Sequence, residues 1–292
     1  MPLTTSELLM HSVVRLTTFS GGVPVSNGTG FYRTAHFADG STVNLIVTNK
    51  HVIAGADSIH FVVHMLAKQG GEPSGELAEV IVPLDGVLFA HPDATVDLCA
   101  IAITRTLHDL YNSGRSPFTV QQADETIPTG DEWDAFDGIE EVLMLGCPSG
   151  LYDQVNNLPI CRQGITATPL TKNYNGRREF VIDMACFPGS SGSPIFVYNR
   201  DGYLNRSQNT YMMGESRLKL VGILYAGPNI NNRGEIVMAV PTVNIQTMMH
   251  LGYAIKADRL FDIDDLIGAA IGSAPRRLQG NAIPPPPPDA AV

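Results

Sequence analysis

The sequence is short of cysteine, of basic charge and of long apolar runs, and each shortage removes a class of protein. Four cysteines, Cys99, Cys147, Cys161 and Cys186, are spread over 292 residues. None forms a CxxC pair, so neither a zinc site nor a dense disulfide frame is indicated, and free buried thiols are expected. No metal and no cofactor are expected. Lys and Arg number 19 against 29 Asp and Glu, a formal charge of -10. Nucleic acid and anionic membrane both need a basic face, so neither is expected as a partner. No apolar run approaches the roughly 18 residues of a membrane span. The opening MPLTTSELLMHSVVRL lacks the basic start, apolar centre and small-residue cleavage site of a secretory signal. The expectation from these absences is a soluble, cytoplasmic protein.

What is present favours strands. Gly (28) and Pro (20) are frequent, which suits many short strands joined by turns and disfavours a helical bundle. Thr4 and Glu7 fit a capping box for a short N-terminal helix. SVVRLTTF, GTGFYRTAHF, STVNLIVTN, SIHFVVHML, EVIVPL and DLCAIAI then read as strands, rich in β-branched or aromatic residues and separated by turn residues. Residues 109–137 are polar and acidic and read as a linker. EEVLMLGCP, GITATPL, EFVIDMA, SPIFVYN, KLVGILYAG and EIVMAVP form a second strand set. The expected fold is all-β: two six-stranded antiparallel β-barrels with short N- and C-terminal helices. The predicted organisation is the N-terminal helix and first barrel over 1–108, the linker over 109–137, the second barrel over 138–250, a helical segment over 251–279 and a disordered tail over 280–292. NIQTMMHLGYAI and ADRLFDIDDLIGAAIG carry apolar residues at helical spacing. The five prolines Pro284 to Pro288 predict an extended polyproline II tail, open to docking in an aromatic groove.

The strongest local signal is Phe187-Pro188-Gly189-Ser190-Ser191-Gly192-Ser193-Pro194, between two strand-like runs. Glycines flanking a serine allow a tight turn whose amide groups aim at one spot, as an acyl-transfer oxyanion requires. A plain Gly/Ser turn would look the same. A serine hydroxyl needs a base to take its proton. Of eight histidines, His51 in LIVTNKHVIAGA follows an apolar strand at the start of a small-residue turn and has the most site-like context. His60 and His64 lie within a strand-like run, His108 borders the linker and His250 falls in the segment read as a helical tail. The third member must be a largely buried carboxylate. Asp97, opening the apolar strand DLCAIAI, fits that place, with Asp93 its nearest rival. An α/β-hydrolase would need serine before acid before histidine and a GxSxG elbow; Ser193 stands where its last glycine belongs, and only His250 follows the serine.

The order His51, Asp97, Ser191 is that of the two-barrel proteases. TNKHVI resembles the histidine motif of trypsin-like, chymotrypsin-fold serine peptidases, DLCAIAI their aspartate strand and DMACFPGSSGSPIF their nucleophile loop, in a style closest to HtrA (Deg) members. GTGFYR, LGCPSG, RQGITAT, VGILYAG and MAVPT extend the likeness over roughly residues 11 to 250. The resemblance implies Ser191 as nucleophile, His51 as general base and then acid, Asp97 as orienting carboxylate, and the backbone N–H groups of Gly189 and Ser191 as oxyanion hole. It implies a serine endopeptidase with a polypeptide substrate, and leaves open a dedicated or regulatory protein partner. No PDZ domain of the kind many HtrA members append is expected after His250.

The departures are informative too. Ser190 replaces the aspartate that in digestive proteases pairs with a freshly cut N-terminus, so activity independent of N-terminal cleavage is expected. Ser193 replaces a more usual glycine. Ala185 stands where trypsin places an acid, Cys186 follows it, and Tyr225, Ala226, Gly227 and Met238 are expected across the pocket. Such a pocket predicts a small or medium apolar residue before the scissile bond. The alternative to an enzyme is a catalytically silent binding or scaffold protein on the same fold.

Overall fold

The computed structural model describes residues 2–68, 71–227, 229–232 and 245–277. Helix α1 (Thr5–Met10) opens the chain with the expected capping box: Glu7 N–H donates to Thr4 Oγ1 and Thr4 N–H to the Glu7 carboxylate. The first sheet follows, with strands β1 (Val13–Ser20), β2 (Val23–His36), β3 (Thr42–Thr48), β4 (Ser58–Leu66), β5 (Pro73–Pro83), β6 (Leu88–Ala90) and β7 (Cys99–Ala102). Their order across the sheet is β5-β4-β1-β2-β3-β7-β6, and every pairing is antiparallel. β4 alternates strictly, burying Ile59, Phe61, Val63 and Met65. Those residues join Val14, Leu16, Ile46, Val80, Val82 and Ile101 from the other strands in one core, so the sheet curls around its own apolar face.

Between the two units run helix α2 (Thr104–Asn112) and strand β8 (Pro117–Phe118), which pairs with β4. α2 lies across the predicted start of the linker. Its Leu107 and Leu110, three apart and thus on one face, pack on the first core; the polar residues around them mask this short apolar stripe in the sequence.

The second unit is a closed six-stranded barrel. Its strands are β9 (Glu141–Gly146), β10 (Ile160–Thr166), β11 (Glu179–Asp183), β12 (Pro194–Asn199), β15 (Arg217–Ala226) and β18 (Leu251–Lys256). Two hairpins lie outside it, β13 (Gly202–Asn205) with β14 (Thr210–Met213), and β16 (Asn229–Asn232) with β17 (Ile245–Met248). The helical reading of NIQTMMHLGYAI does not hold, because β17 and β18 occupy it. β18 pairs with both β11 and β15, and without it the barrel would stay open. A short apolar run cannot declare its own period; the two waiting neighbours decide it. Helix α3 (Leu260–Ile271) does form and buries Leu260, Phe261, Ile263 and Ile267 in the core shared with both units. The two-barrel, all-β architecture is thus the one expected. The polyproline run lies outside the described residues, among which no helix is long and apolar enough to cross a membrane.

Buried Arg33 of β2 fastens the fold. It donates to Asp124 at 2.7 Å and to both oxygens of Asp264 on α3 at 2.6 Å. The first sheet, the connecting segment and the last helix therefore meet at one guanidinium.

Candidate active site

His51 lies on a single tight turn, Lys50–Val52, directly after β3. Val52 anchors that turn at 1 % exposure and presses on Gly28 so closely that a Cβ there would meet it at 2.5 Å. The His51 backbone N–H donates to Asp97 Oδ1 at 3.0 Å, and its ring Nδ1 pairs with Asp97 Oδ2. Asn49 fixes the aspartate from behind, donating to the Asp97 carbonyl at 2.7 Å. Burial acts to raise the Asp97 carboxyl, but the hydrogen bonds and charge of His51 outweigh it and hold the carboxyl below its ordinary value. With Nδ1 engaged by Asp97, Nε2 is the ring nitrogen left for another partner.

The rival carboxylate is otherwise engaged. Asp93 accepts from Thr95 N–H at 2.9 Å and Thr95 Oγ1 at 2.7 Å, a local turn cap. The other histidines named from the sequence have different settings: His60 stacks on Phe19, His64 bonds the Asn157 carbonyl, His108 meets Asn112 on α2, and His250 holds a turn at φ 57°.

Ser191 stands between two successive tight turns. In the first, Ser190 N–H donates to the Phe187 carbonyl at 3.0 Å, with Pro188 and Gly189 (φ 83°) at the centre. Pro then Gly is the pair a type II turn selects, since proline presets the first φ and glycine tolerates the positive second. In the next, Ser193 N–H donates to the Ser190 carbonyl at 3.0 Å around Gly192 (φ 87°). Among the described residues the N–H groups of Gly189 and Ser191 and the Ser191 hydroxyl have no hydrogen-bond partner. Two unpaired donors flanking a free hydroxyl suit an anion forming beside it.

Two threonines that sequence reasoning passed over tie this loop to the first sheet, on the strands that precede the His51 turn. Thr29 N–H donates to the Ser191 carbonyl at 2.9 Å. Thr29 Oγ1 donates to the Gly189 carbonyl at 2.8 Å and accepts from Cys147 N–H at 2.9 Å. Thr48, the last residue of β3 before the His51 turn, donates to the Thr29 carbonyl at 2.8 Å. Gly192 is pressed into the same junction, where a Cβ would come within 1.9 Å of the Thr29 carbonyl oxygen. Both threonines lie within the quoted motifs GTGFYR and TNKHVI, so the signal was present without its role.

A cavity of about 150 Å³ opens beside Ser191, lined by Cys186, Phe187, Pro188, Leu224, Ala226 and Gly227. Of the residues expected from the sequence, Cys186, Ala226 and Gly227 line it. Ala185 does not, and its carbonyl is held from beneath by Arg162. Tyr225 turns away to donate to Glu179 at 2.8 Å, and Met238 lies outside the described residues. All four cysteines are free; Cys161, on β10, is exposed where a buried thiol was expected.

The trypsin-like peptidase domain model matches residues 28–204. No curated protein matches. Among solved structures, the serine endoprotease from Yersinia pestis is 17 % identical with TM-score 0.44, over 88 % of this chain and 63 % of that one. An HtrA-type protease solved with a decapeptide is 16 % identical with TM-score 0.45, over 89 % of this chain and 64 % of that one. A thermostable serine protease from an extremophilic microorganism is 12 % identical with TM-score 0.47, over 89 % of this chain and 98 % of that one. The chain thus spans less than two thirds of the first and second of these proteins. The family model covers more than half of the sequence and includes the histidine, aspartate and serine motifs, and the chain belongs to the trypsin-like peptidase domain family.

Proposed function

We propose that this protein is a serine endopeptidase acting through His51, Asp97 and Ser191. The observation that supports the reading is the His51–Asp97 pair on one unit together with a turn that presents Ser191 beside two unpaired N–H groups on the other, the turn being tied through Thr29 and Thr48 to the strand that leads into His51. In this reading His51 Nε2 takes the Ser191 proton as Oγ attacks the scissile carbonyl, and Asp97 stabilises the imidazolium through Nδ1. The carbonyl oxygen becomes an anion held by Gly189 and Ser191 N–H. His51 then returns its proton to the leaving amine, and water releases the acyl group by the same steps in reverse order.

The cavity beside Ser191 has no carboxylate among its lining residues, which favours a small or medium apolar side chain before the cut and disfavours Lys or Arg. The substrate is a polypeptide. The test is labelling with a fluorophosphonate probe: the native chain should react, and Ser191→Ala and His51→Ala should not. Labelling that survives the Ser191 change would refute the assignment.

A further inference from the structure

Arg162 of β10 reaches beneath the turn that carries Ser191. Its Nη2 donates to Ser190 Oγ at 2.7 Å and its Nη1 to the Ala185 carbonyl. One planar guanidinium therefore ties both ends of the 185–190 segment, and the Pro188–Gly189 turn lies between the two tethers. Ser190 is fully buried, so its hydroxyl is turned inward toward this contact. Gly164, two residues along β10, backs onto the residues just before that segment: a Cβ there would meet the Asp183 carbonyl at 2.3 Å and Met184 at 3.0 Å. The strand that carries Arg162 is thus packed closely against the residues that lead into the loop.

The charge on Arg162 has no carboxylate partner among the described residues. Burial draws its guanidinium below the ordinary value, and the neighbouring Cys186 only partly opposes that. Its Nε is buried without a partner. A partly buried cation lacking a counter-charge costs stability, which points to a role beyond holding the fold together. The geometry of a forked donor also matters, because lysine, a single point donor on a flexible stem, cannot span two acceptors in a fixed plane.

We infer that Arg162 is a positioning residue for the oxyanion turn, holding Ser190 and Ala185 so that the Gly189 and Ser191 N–H groups stay aimed at one point. This rests on the serine-peptidase reading. It replaces, with an internal cation and a neutral serine, the ion pair that an aspartate before the nucleophile would make with a cut N-terminus. No processing step is needed to supply the cation, since β10 carries it from the start.

The experiment compares kinact and KI for a fluorophosphonate-rhodamine probe on the native chain, Arg162→Lys, Arg162→Ala and Ser190→Ala, with thermal unfolding of each. A misplaced oxyanion turn should lower kinact of Arg162→Ala by roughly 100-fold, with KI and Tm little changed. Arg162→Lys should fall between, and added guanidinium should restore part of the Arg162→Ala rate. Ser190→Ala, which keeps the Ala185 tether, should also slow kinact, and it carries the test together with Arg162→Lys should Arg162→Ala fail to fold. Unchanged kinact in these variants, or a loss that follows Tm and does not respond to guanidinium, would overturn the inference while leaving the triad intact. A native chain that does not label, or labelling that persists in Ser191→Ala, would instead overturn the triad and this inference with it.

Discussion

Thr29→Val keeps the outline of a fully buried side chain and removes one hydroxyl, which makes it a clean probe of the junction between the two barrels. That hydroxyl serves two partners: it accepts from Cys147 N–H at 2.9 Å in a buried contact and donates to the Gly189 carbonyl at 2.8 Å in a partly buried one. Valine leaves both backbone groups without a partner. An unsatisfied buried group costs about 1–3 kcal/mol, so assigning ~2 to the buried amide and ~1 to the more exposed carbonyl gives a loss of about 3 kcal/mol. Thr29→Ser keeps both bonds and loses only a methyl, worth about 0.8 kcal/mol. The two variants should therefore differ by roughly 2 kcal/mol in urea unfolding, with serine the more stable. They should also differ in chemistry. A Gly189 carbonyl without its donor lets the Pro188–Gly189 turn rotate, and on the proposed reading a shift near 1 Å costs about 100-fold in rate, so fluorophosphonate labelling should slow in Thr29→Val and persist in Thr29→Ser. A valine variant as stable and as quickly labelled as the serine variant would refute this account of the junction.

Arg33→Met should destabilise by about 3 kcal/mol, because it leaves buried Asp124 and Asp264 with only the longer contacts to His36 at 3.6 Å and Arg277 at 3.7 Å; denaturant unfolding checks this, and adding Asp124→Asn with Asp264→Asn should recover much of the loss. Burial, reinforced by the nearby His64 and weakly opposed by Glu7, lowers His11 from 6.5 to about 4. Its folded pKa lies below the unfolded one, so between pH 6.5 and 4 the unfolded chain binds more protons and stability should fall as the pH falls; His11→Phe should flatten that slope in chemical unfolding measured across the window. Peptides with Ala or Val before the scissile bond should be cleaved in preference to those with Arg, and Ala226→Phe, which fills the cavity beside Ser191, should abolish that cleavage; rapid cutting after Arg would count against the pocket.

Much of this was legible in the chain itself, for identifiable reasons. The alternation in SIHFVVHML reports a half-buried strand because one face must be apolar and the other need not be, and β4 buries the expected residues. The His51 turn and the Gly-flanked serine were legible because each depends on residues adjacent in sequence. The segment NIQTMMHLGYAI was misread because its apolar spacing suits a helix, and only the gap between β11 and β15 makes residues 251–256 a strand. Helix α2 was hidden because two leucines are a faint stripe.

By itself the sequence determined the strand-rich class, the order of histidine, aspartate and serine, and the turn chemistry around Ser191, since these follow from side-chain volume, polarity and allowed backbone angles over a few neighbouring residues. Tertiary structure alone decided that Thr29, braced by Thr48, clasps the two units, that Arg162 lies under Ser190, that Tyr225 turns to Glu179, and that Arg33 binds two distant aspartates. Each of those contacts joins groups far apart along the chain, and such partners are selected by which strands meet in the folded sheets, a choice that no local pattern encodes.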